Sequence, residues 1–129
     1  MKKKKVFSLA WVYEALEEDP TFETKRMFGG LAVYYFGRMV LVLVENSGER
    51  EYRGKTYPYE IWNGILFPTS REFHDSIQKD LREVSSHPVL GKWLYLPMEA
   101  PSFEEEALRG VDLIYKRDPR FGIEPKAKK

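Results

Sequence analysis

The 129-residue chain has no cysteine and only two histidines, His74 and His87. The missing cysteines exclude a disulfide framework, a thiolate metal site and a cysteine nucleophile. A zinc site would have to draw on carboxylates, because two histidines do not complete its coordination shell. We therefore expect no metal site, no cofactor and no catalytic residue.

Long apolar runs are also missing. None reaches the roughly 20 residues that a membrane-spanning helix needs. Acidic residues from Glu14 onward interrupt the segment that follows the first lysines, so it lacks a signal-peptide core. We expect a cytoplasmic protein with no membrane partner.

Positive charge is scarce outside the two ends of the chain. Four lysines lie in residues 1–5 and three in residues 126–129, which leaves 14 of the 21 basic residues against 20 acidic ones. We interpret the lysine runs as frayed, solubilising ends of a single α+β domain that spans residues 1–129. Nucleic acid is not a favoured partner, because a duplex binder concentrates basic residues on a folded face.

The first predicted helix covers residues 9–18, with Ser8 as its N-cap. Its apolar residues recur at the spacing of one face of an α-helix. Trp11 lies about 200° from Leu9 at 100° per residue, so it falls opposite that face. We expect Trp11 to be covered by another element or to anchor a partner at an interface.

Two further helices are predicted by Ser/Thr-x-x-Glu patterns, which are typical of helix starts. One pattern begins at Thr69 and the other at Ser102. In the last helix, Leu108 and Tyr115 widen the apolar stripe. We therefore expect this helix to pack across the sheet.

Residues 22–45 change to a strand-like pattern. The runs at 31–36 and 38–45 predict two strands joined by a tight turn at Gly37, after an earlier strand near residues 26–28. Six consecutive apolar residues, 39–44, predict a strand that is buried on both faces.

Strand patterns also occur at residues 61–67 and 92–97. The fold class is therefore α+β, with an antiparallel-rich sheet of about four to six strands and three helices, in the order α-β-β-β-β-α-β-α. Residues 46–59 are polar and contain glycine and proline, which predicts a long, mobile connection.

Two adjacent glycines, Gly29 and Gly30, lie near Arg26 and Arg38. Backbone N–H groups at such a position can approach an anion, with the arginines supplying positive charge. The other interpretation is a glycine kink or bulge between strands. Aromatic residues make up 15% of the chain and offer a further surface for protein contacts or base stacking.

Residues 26–34, RMFGGLAVY, and residues 37–42, GRMVLV, resemble the hairpin of the N-terminal domain of the TfoX/Sxy family. The resemblance covers residues 22–45, and the nearest analogue of the family's Leu-Tyr-Leu strand is at residues 93–96. It implies a small bacterial α+β domain associated with the regulation of competence genes, and it brings no catalytic residue, cofactor or metal. Its motif glycines then serve as fold determinants.

These observations favour a non-enzymatic regulatory or protein-interaction module that binds a protein partner or a second copy of itself, with Trp11 as the anchor. The alternative is a small-molecule or anion-binding domain that uses Arg26, Gly29, Gly30 and Arg38. A third hypothesis is a nucleic-acid-associated regulator that uses the lysine-rich ends together with Lys116, Arg117 and Arg120.

Overall fold

A six-stranded antiparallel sheet lies at the centre of the computed structural model, which describes residues 8–27 and 29–124. The strand order across the sheet is β1-β2-β3-β6-β8-β7, and β4 and β5 form a separate hairpin. In chain order the strands are β1 (Glu23–Met27), β2 (Gly30–Tyr35), β3 (Arg38–Glu45), β4 (Glu51–Tyr52), β5 (Lys55–Thr56), β6 (Asn63–Phe67), β7 (Ser85–Ser86) and β8 (Leu94–Pro97).

The helices are an N-terminal 3₁₀ helix (Ser8–Leu16), a 3₁₀ turn (Arg71–Phe73) that leads into α1 (His74–Asp80), and α2 (Phe103–Tyr115). The α+β class and the largely antiparallel sheet are therefore confirmed. The short strands β4, β5 and β7 are additions to the expected order.

Strand β3 is buried along its whole apolar length, as its six consecutive apolar residues predict. Leu41 and Leu43 belong to a core that includes the N-terminal helix, α1 and α2. Val42 and Val44 belong to a second cluster on the other face of the sheet, against which Trp62 and other side chains of the connecting segments pack. Covering both faces makes β3 the centre of the fold.

The N-terminal helix is wound as a 3₁₀ helix rather than as the expected α-helix. Leu9, Val12 and Leu16 are buried as predicted. With three residues per turn, Trp11 lies about 120° from the line of Leu9 and Val12 instead of opposite to it. The tighter winding moves the Trp11 ring to the flank of the helix, where it is half-buried.

Neither expected capping box forms. The Thr69 hydroxyl donates to the Arg120 carbonyl at 2.6 Å, and it makes no bond to the helix that follows. At the start of α2 the Ser102 side chain also makes no capping bond, and the Ser102 N–H donates to the Glu83 carboxylate at 2.9 Å. Partners distant in sequence replace the local ones.

Residues 46–59 contain the hairpin of β4 and β5, so the expected irregular connection has structure of its own. Arg53 and Gly54 both have positive φ, at 53° and 81°, which is the geometry of a type I′ turn. The N–H of Ile61 donates to the Glu49 carbonyl at 2.8 Å and so joins the end of this segment to its start.

The segment after α2 returns to the sheet and is held there. Met39 and Ile123 exchange two backbone hydrogen bonds, of 2.9 and 3.1 Å. The Arg120 guanidinium donates to Asp118 and to Asp80, both at 2.8 Å. This C-terminal strap, residues 118–123, fixes the position of the end of α2 against the sheet.

Gly64→Ala tests the closeness of β6 to β8. A Cβ atom at Gly64 would lie 2.2 Å from the Leu96 carbonyl oxygen, which is backbone and cannot move aside. We expect a loss of about 3 kcal/mol in the free energy of unfolding, measured by urea denaturation. Gly91→Ala is the matched control, because its nearest neighbour is the end of the Arg71 side chain at 3.1 Å. Equal losses in the two variants would contradict this account.

Candidate functional site

The two glycines of the expected anion site have backbone reasons for being glycine. Gly29 has a φ of 73° in the turn between β1 and β2. A Cβ atom at Gly30 would lie 2.2 Å from the Leu43 carbonyl oxygen of β3. Both positions therefore need glycine for the fold of the hairpin.

Arg26 and Arg38 lie towards opposite ends of β2. Arg26 pairs with Leu31 in the register of β1 and β2, and Arg38 pairs with Tyr35 in the register of β2 and β3. Four residues of β2 separate the two positions, which is roughly 13 Å along the strand. The structure does not bring Arg38 together with Arg26, Gly29 and Gly30, so the anion site expected from these four residues is not assembled.

Arg38 instead lines a cleft of about 210 Å³ together with Arg117, which follows α2. One Nη atom of Arg38 donates to the Gly122 carbonyl at 2.6 Å. Gly122 has a φ of 95°, and a Cβ atom there would lie 3.1 Å from the Arg38 Nε atom. The C-terminal strap thus holds the Arg38 guanidinium at the cleft wall.

Arg117 occupies the position at the end of α2 where helices usually have glycine. The Asp118 N–H donates to the Leu113 carbonyl at 3.0 Å, and the Arg117 N–H donates to the Ile114 carbonyl at 2.9 Å. This is a Schellman motif with Arg117 in the left-handed conformation at φ 65°. A side chain in that conformation costs about 1–2 kcal/mol relative to the right-handed one.

Phe36, which lies next to Arg117, carries a similar backbone strain. It has a φ of 53° in the turn between β2 and β3. The Arg117 guanidinium stacks over its ring at 3.7 Å from the centroid. Two strained residues, neither of them glycine, therefore meet at one place, and such clusters are common at functional sites.

The outer surface of α2 is more apolar than the sequence led us to expect. The α2 helix packs on the sheet as expected, but Leu108 is 51% exposed and Tyr115 is 54% exposed, so the buried stripe does not extend to these two residues. They line a groove of about 370 Å³ together with Ala15 of the N-terminal helix. Tyr115 and Ala15 also line an adjoining groove of about 460 Å³, which extends to Phe36.

We call these two grooves together the helix groove. Its lining includes the carboxylates of Glu18, Asp19 and Asp112 and one cation, Arg117. Asp112 is paired with Lys116 at 3.0 Å, and Arg117 acts electrostatically on Asp19. Hydrogen bonds from Thr21 hold the pKa of Asp19 below its usual value, so this carboxylate stays ionised.

Trp11, the expected interface residue, lies on the same helix as one wall of the helix groove. Its ring meets the Phe103 ring of α2 edge-on, with 6.4 Å between the centroids. Part of the indole is therefore covered from within the fold. Its role as an interface anchor stays a prediction.

His87 lies in the loop that precedes β8, and its side chain is buried, with 1% of its surface exposed. Its Nε2 atom lies 2.6 Å from the Ile61 carbonyl, and its Nδ1 atom accepts from the N–H groups of Val89 and Leu90. Only the neutral ring with its proton on Nε2 satisfies all three partners. Burial lowers the pKa of His87, and the hydrogen bond to Ile61 only partly opposes this effect.

The remaining candidates for chemistry have structural partners. The His74 Nε2 atom lies 2.8 Å from the Lys92 carbonyl. The Glu106 carboxylate accepts from the N–H groups of Arg82 and Glu83. Within residues 8–27 and 29–124, no group of three or more possible ligands could hold a metal ion, and no helix is long and apolar enough to cross a membrane.

The sequence pattern pointed to Arg117 only as one of the basic residues of the nucleic-acid hypothesis, and it did not point to Phe36. A signal for Arg117 was present, because it directly follows the apolar stripe of the last helix, at the usual place of a C-terminal glycine. Nothing local indicated that Phe36 would face it.

Comparison with family models, with curated proteins and with solved structures finds no match for this chain. The resemblance to the TfoX/Sxy family stays a prediction.

The environment of His87 generates a prediction about pH. The unfolded chain takes up a proton near the ordinary pKa of 6.5, whereas the folded protein takes it up only at a lower pH. The free energy of unfolding should therefore fall as the pH drops below about 6.5, until the lowered pKa is reached. Urea denaturation between pH 4 and 8, roughly spanning this window, measures the slope.

His87→Gln is the comparison variant, since it removes the ionisable ring. It should be less stable at neutral pH and should lose most of the wild-type slope below pH 6.5. An unchanged slope in this variant would show that other groups cause the pH dependence.

Proposed function

We propose that this chain is a non-enzymatic protein-interaction module whose helix groove binds a basic amphipathic helix. One observation carries the proposal. The large apolar side chains that are exposed in the described part of the chain, Phe36, Leu108 and Tyr115, all line the helix groove. An exposed apolar strip with polar walls is typical of a protein contact surface.

The spacing along α2 suits a helical partner. Leu108 and Tyr115 are seven residues apart, or two helical turns, which places them about 10 Å apart along the helix axis. An amphipathic helix presents its own apolar residues at the same repeat, so two such surfaces can interdigitate over two turns.

The acidic side chains around the groove favour a partner helix that carries positive charge. The groove is lined by Glu18, Asp19 and Asp112, and Glu14 and Glu17 are exposed on the same N-terminal helix. Lysine or arginine beside the partner's apolar stripe would complement these carboxylates. The same charges oppose a nucleic-acid backbone, so the proposal favours a protein partner over nucleic acid.

A regulatory role and a cytoplasmic setting also belong to the proposal. The regulatory role rests on the resemblance to the TfoX/Sxy family. Neither adds a catalytic group, and the proposal requires none.

A synthetic helix tests the proposal directly. The probe is a labelled peptide of about 18 residues with leucine at helical spacing and lysine elsewhere. Fluorescence anisotropy should report saturable binding, and a peptide with glutamate in place of lysine should not bind. Leu108→Ser and Tyr115→Ser should each weaken binding about tenfold, because each removes an apolar anchor from the groove.

Two matched controls separate the groove from general effects. Arg109→Ser changes the neighbouring exposed residue of α2, whose side chain donates to the Asp80 carbonyl, and it should bind like the parent. Glu18→Lys should weaken binding more than Glu72→Lys, which makes the same charge change outside the groove. Equal binding of the glutamate peptide, or full binding by Leu108→Ser, would contradict the proposal.

Light scattering addresses a second copy as the occupant. A monomer in both the parent and Leu108→Ser agrees with a separate partner. A dimer that Leu108→Ser dissociates would mean that the groove is a self-association surface, and it would overturn the basic-helix proposal.

A further inference from the structure

Arg38 and Arg117 both line the cleft at the end of α2, and among the described residues neither of them forms a direct ion pair with a carboxylate. Asp19 lies close enough to Arg117 to interact with it electrostatically, without a direct contact. Within the described part of the chain, the side chains of Arg38 and Arg117 have no carboxylate oxygen within 4.0 Å. Arg38 is bonded to the Gly122 carbonyl, and Arg117 stacks on Phe36. Two positioned guanidinium groups are the usual means of holding a planar oxyanion.

The body of the cleft is apolar. Its remaining wall includes Val40, Ile114 and Phe121, which belong to the buried core that includes the helices. The volume of about 210 Å³ is smaller than the usual range of roughly 300–1,000 Å³ for drug-sized ligands. A ligand must therefore be small and must combine an anionic end with a compact apolar body.

The charge balance favours a monoanion. Asp118 also lines the cleft, and the Arg120 guanidinium that binds it holds its pKa below the usual range. The C-terminal carbonyls of α2 add partial negative charge at the same end. These groups offset part of the field of the two arginines, which penalises a phosphate dianion more than a carboxylate.

The backbone of Arg117 is a further reason to assign a role to its side chain. Glycine would adopt φ 65° at the end of α2 without strain, yet this chain has arginine there. The side chain is thus retained at a position that the helix itself would fill better with glycine.

We propose that the Arg38–Arg117 cleft binds a small monocarboxylate with a compact apolar body, of the size of a benzoate ion. The carboxylate lies between the two guanidinium groups, and the apolar body lies against Val40, Ile114 and Phe121. The binding involves no covalent step. The proposed helix partner contacts Leu108 and Tyr115 rather than Arg38, and Arg117 lines both the cleft and the helix groove.

Titration by two-dimensional NMR tests this site with benzoate as the probe. Saturable shifts are expected at the Tyr35, Phe121 and Gly122 backbone amides. Benzamide, which has the same shape and no charge, should produce no saturable shift. Inorganic phosphate, which lacks the apolar body, should bind about tenfold more weakly or not at all.

Arg117→Gly separates a binding role from a structural one. Glycine is the residue that this helix end accommodates best, so the thermal midpoint should stay within a few degrees of the parent. Benzoate binding should nevertheless weaken about tenfold or more, because one of the two guanidinium groups is lost.

Arg38→Gln should weaken benzoate binding to a similar extent, because it replaces the other guanidinium group with a neutral amide. Arg82→Gln is the matched control, because it removes an exposed arginine outside the cleft, and it should bind benzoate like the parent. Three results would overturn the proposal: equal shifts with benzamide, phosphate binding as tight as benzoate, or unchanged benzoate binding in Arg117→Gly. Loss of peptide binding in Leu108→Ser with normal benzoate binding would leave this site intact.

Discussion

The two-sided burial of β3 is the constraint on which the rest of this structure depends. A strand whose six central residues are all apolar cannot face water on either side, so both faces of the sheet must be covered. The three helices cover one face, and side chains from the connecting segments pack on the other. Because α2 has to lie across the sheet to do this, its opposite side faces outward together with Leu108 and Tyr115.

A second consequence concerns the end of the chain. Once α2 ends at its Schellman motif, the C-terminal strap returns to the first residues of β3 and pairs Ile123 with Met39. The strap brings Gly122 against Arg38 and leaves Arg117 above the turn that contains Phe36. The cleft therefore forms where the start of β3, the end of α2 and the C-terminal strap meet. No single one of these segments supplies both arginines and the apolar wall.

The helix groove and the cleft share a border but differ in character. The groove is open and is lined by exposed apolar side chains and three carboxylates, whereas the cleft is small and is lined by two arginines. Arg117 and Tyr35 line both the cleft and the part of the groove next to it. An acidic surface suited to a cationic helix and a cationic pocket suited to a small anion thus lie side by side on a chain whose formal net charge is only +1.

Local patterns in the sequence were enough to determine the twice-buried strand, the tight turn at Gly37 and the α+β class, because hydrophobic period and glycine geometry act between neighbours. They failed at Thr69, whose hydroxyl is taken by a carbonyl 51 residues away, and at Leu108 and Tyr115, whose exposure depends on how far α2 is covered. Only the tertiary structure decided that Arg38 lines a cleft with Arg117 and lies far from Arg26. The physical reason is that a polar group bonds to, and an apolar group packs against, whatever the folded chain places next to it. Separation along the sequence does not indicate which groups those are.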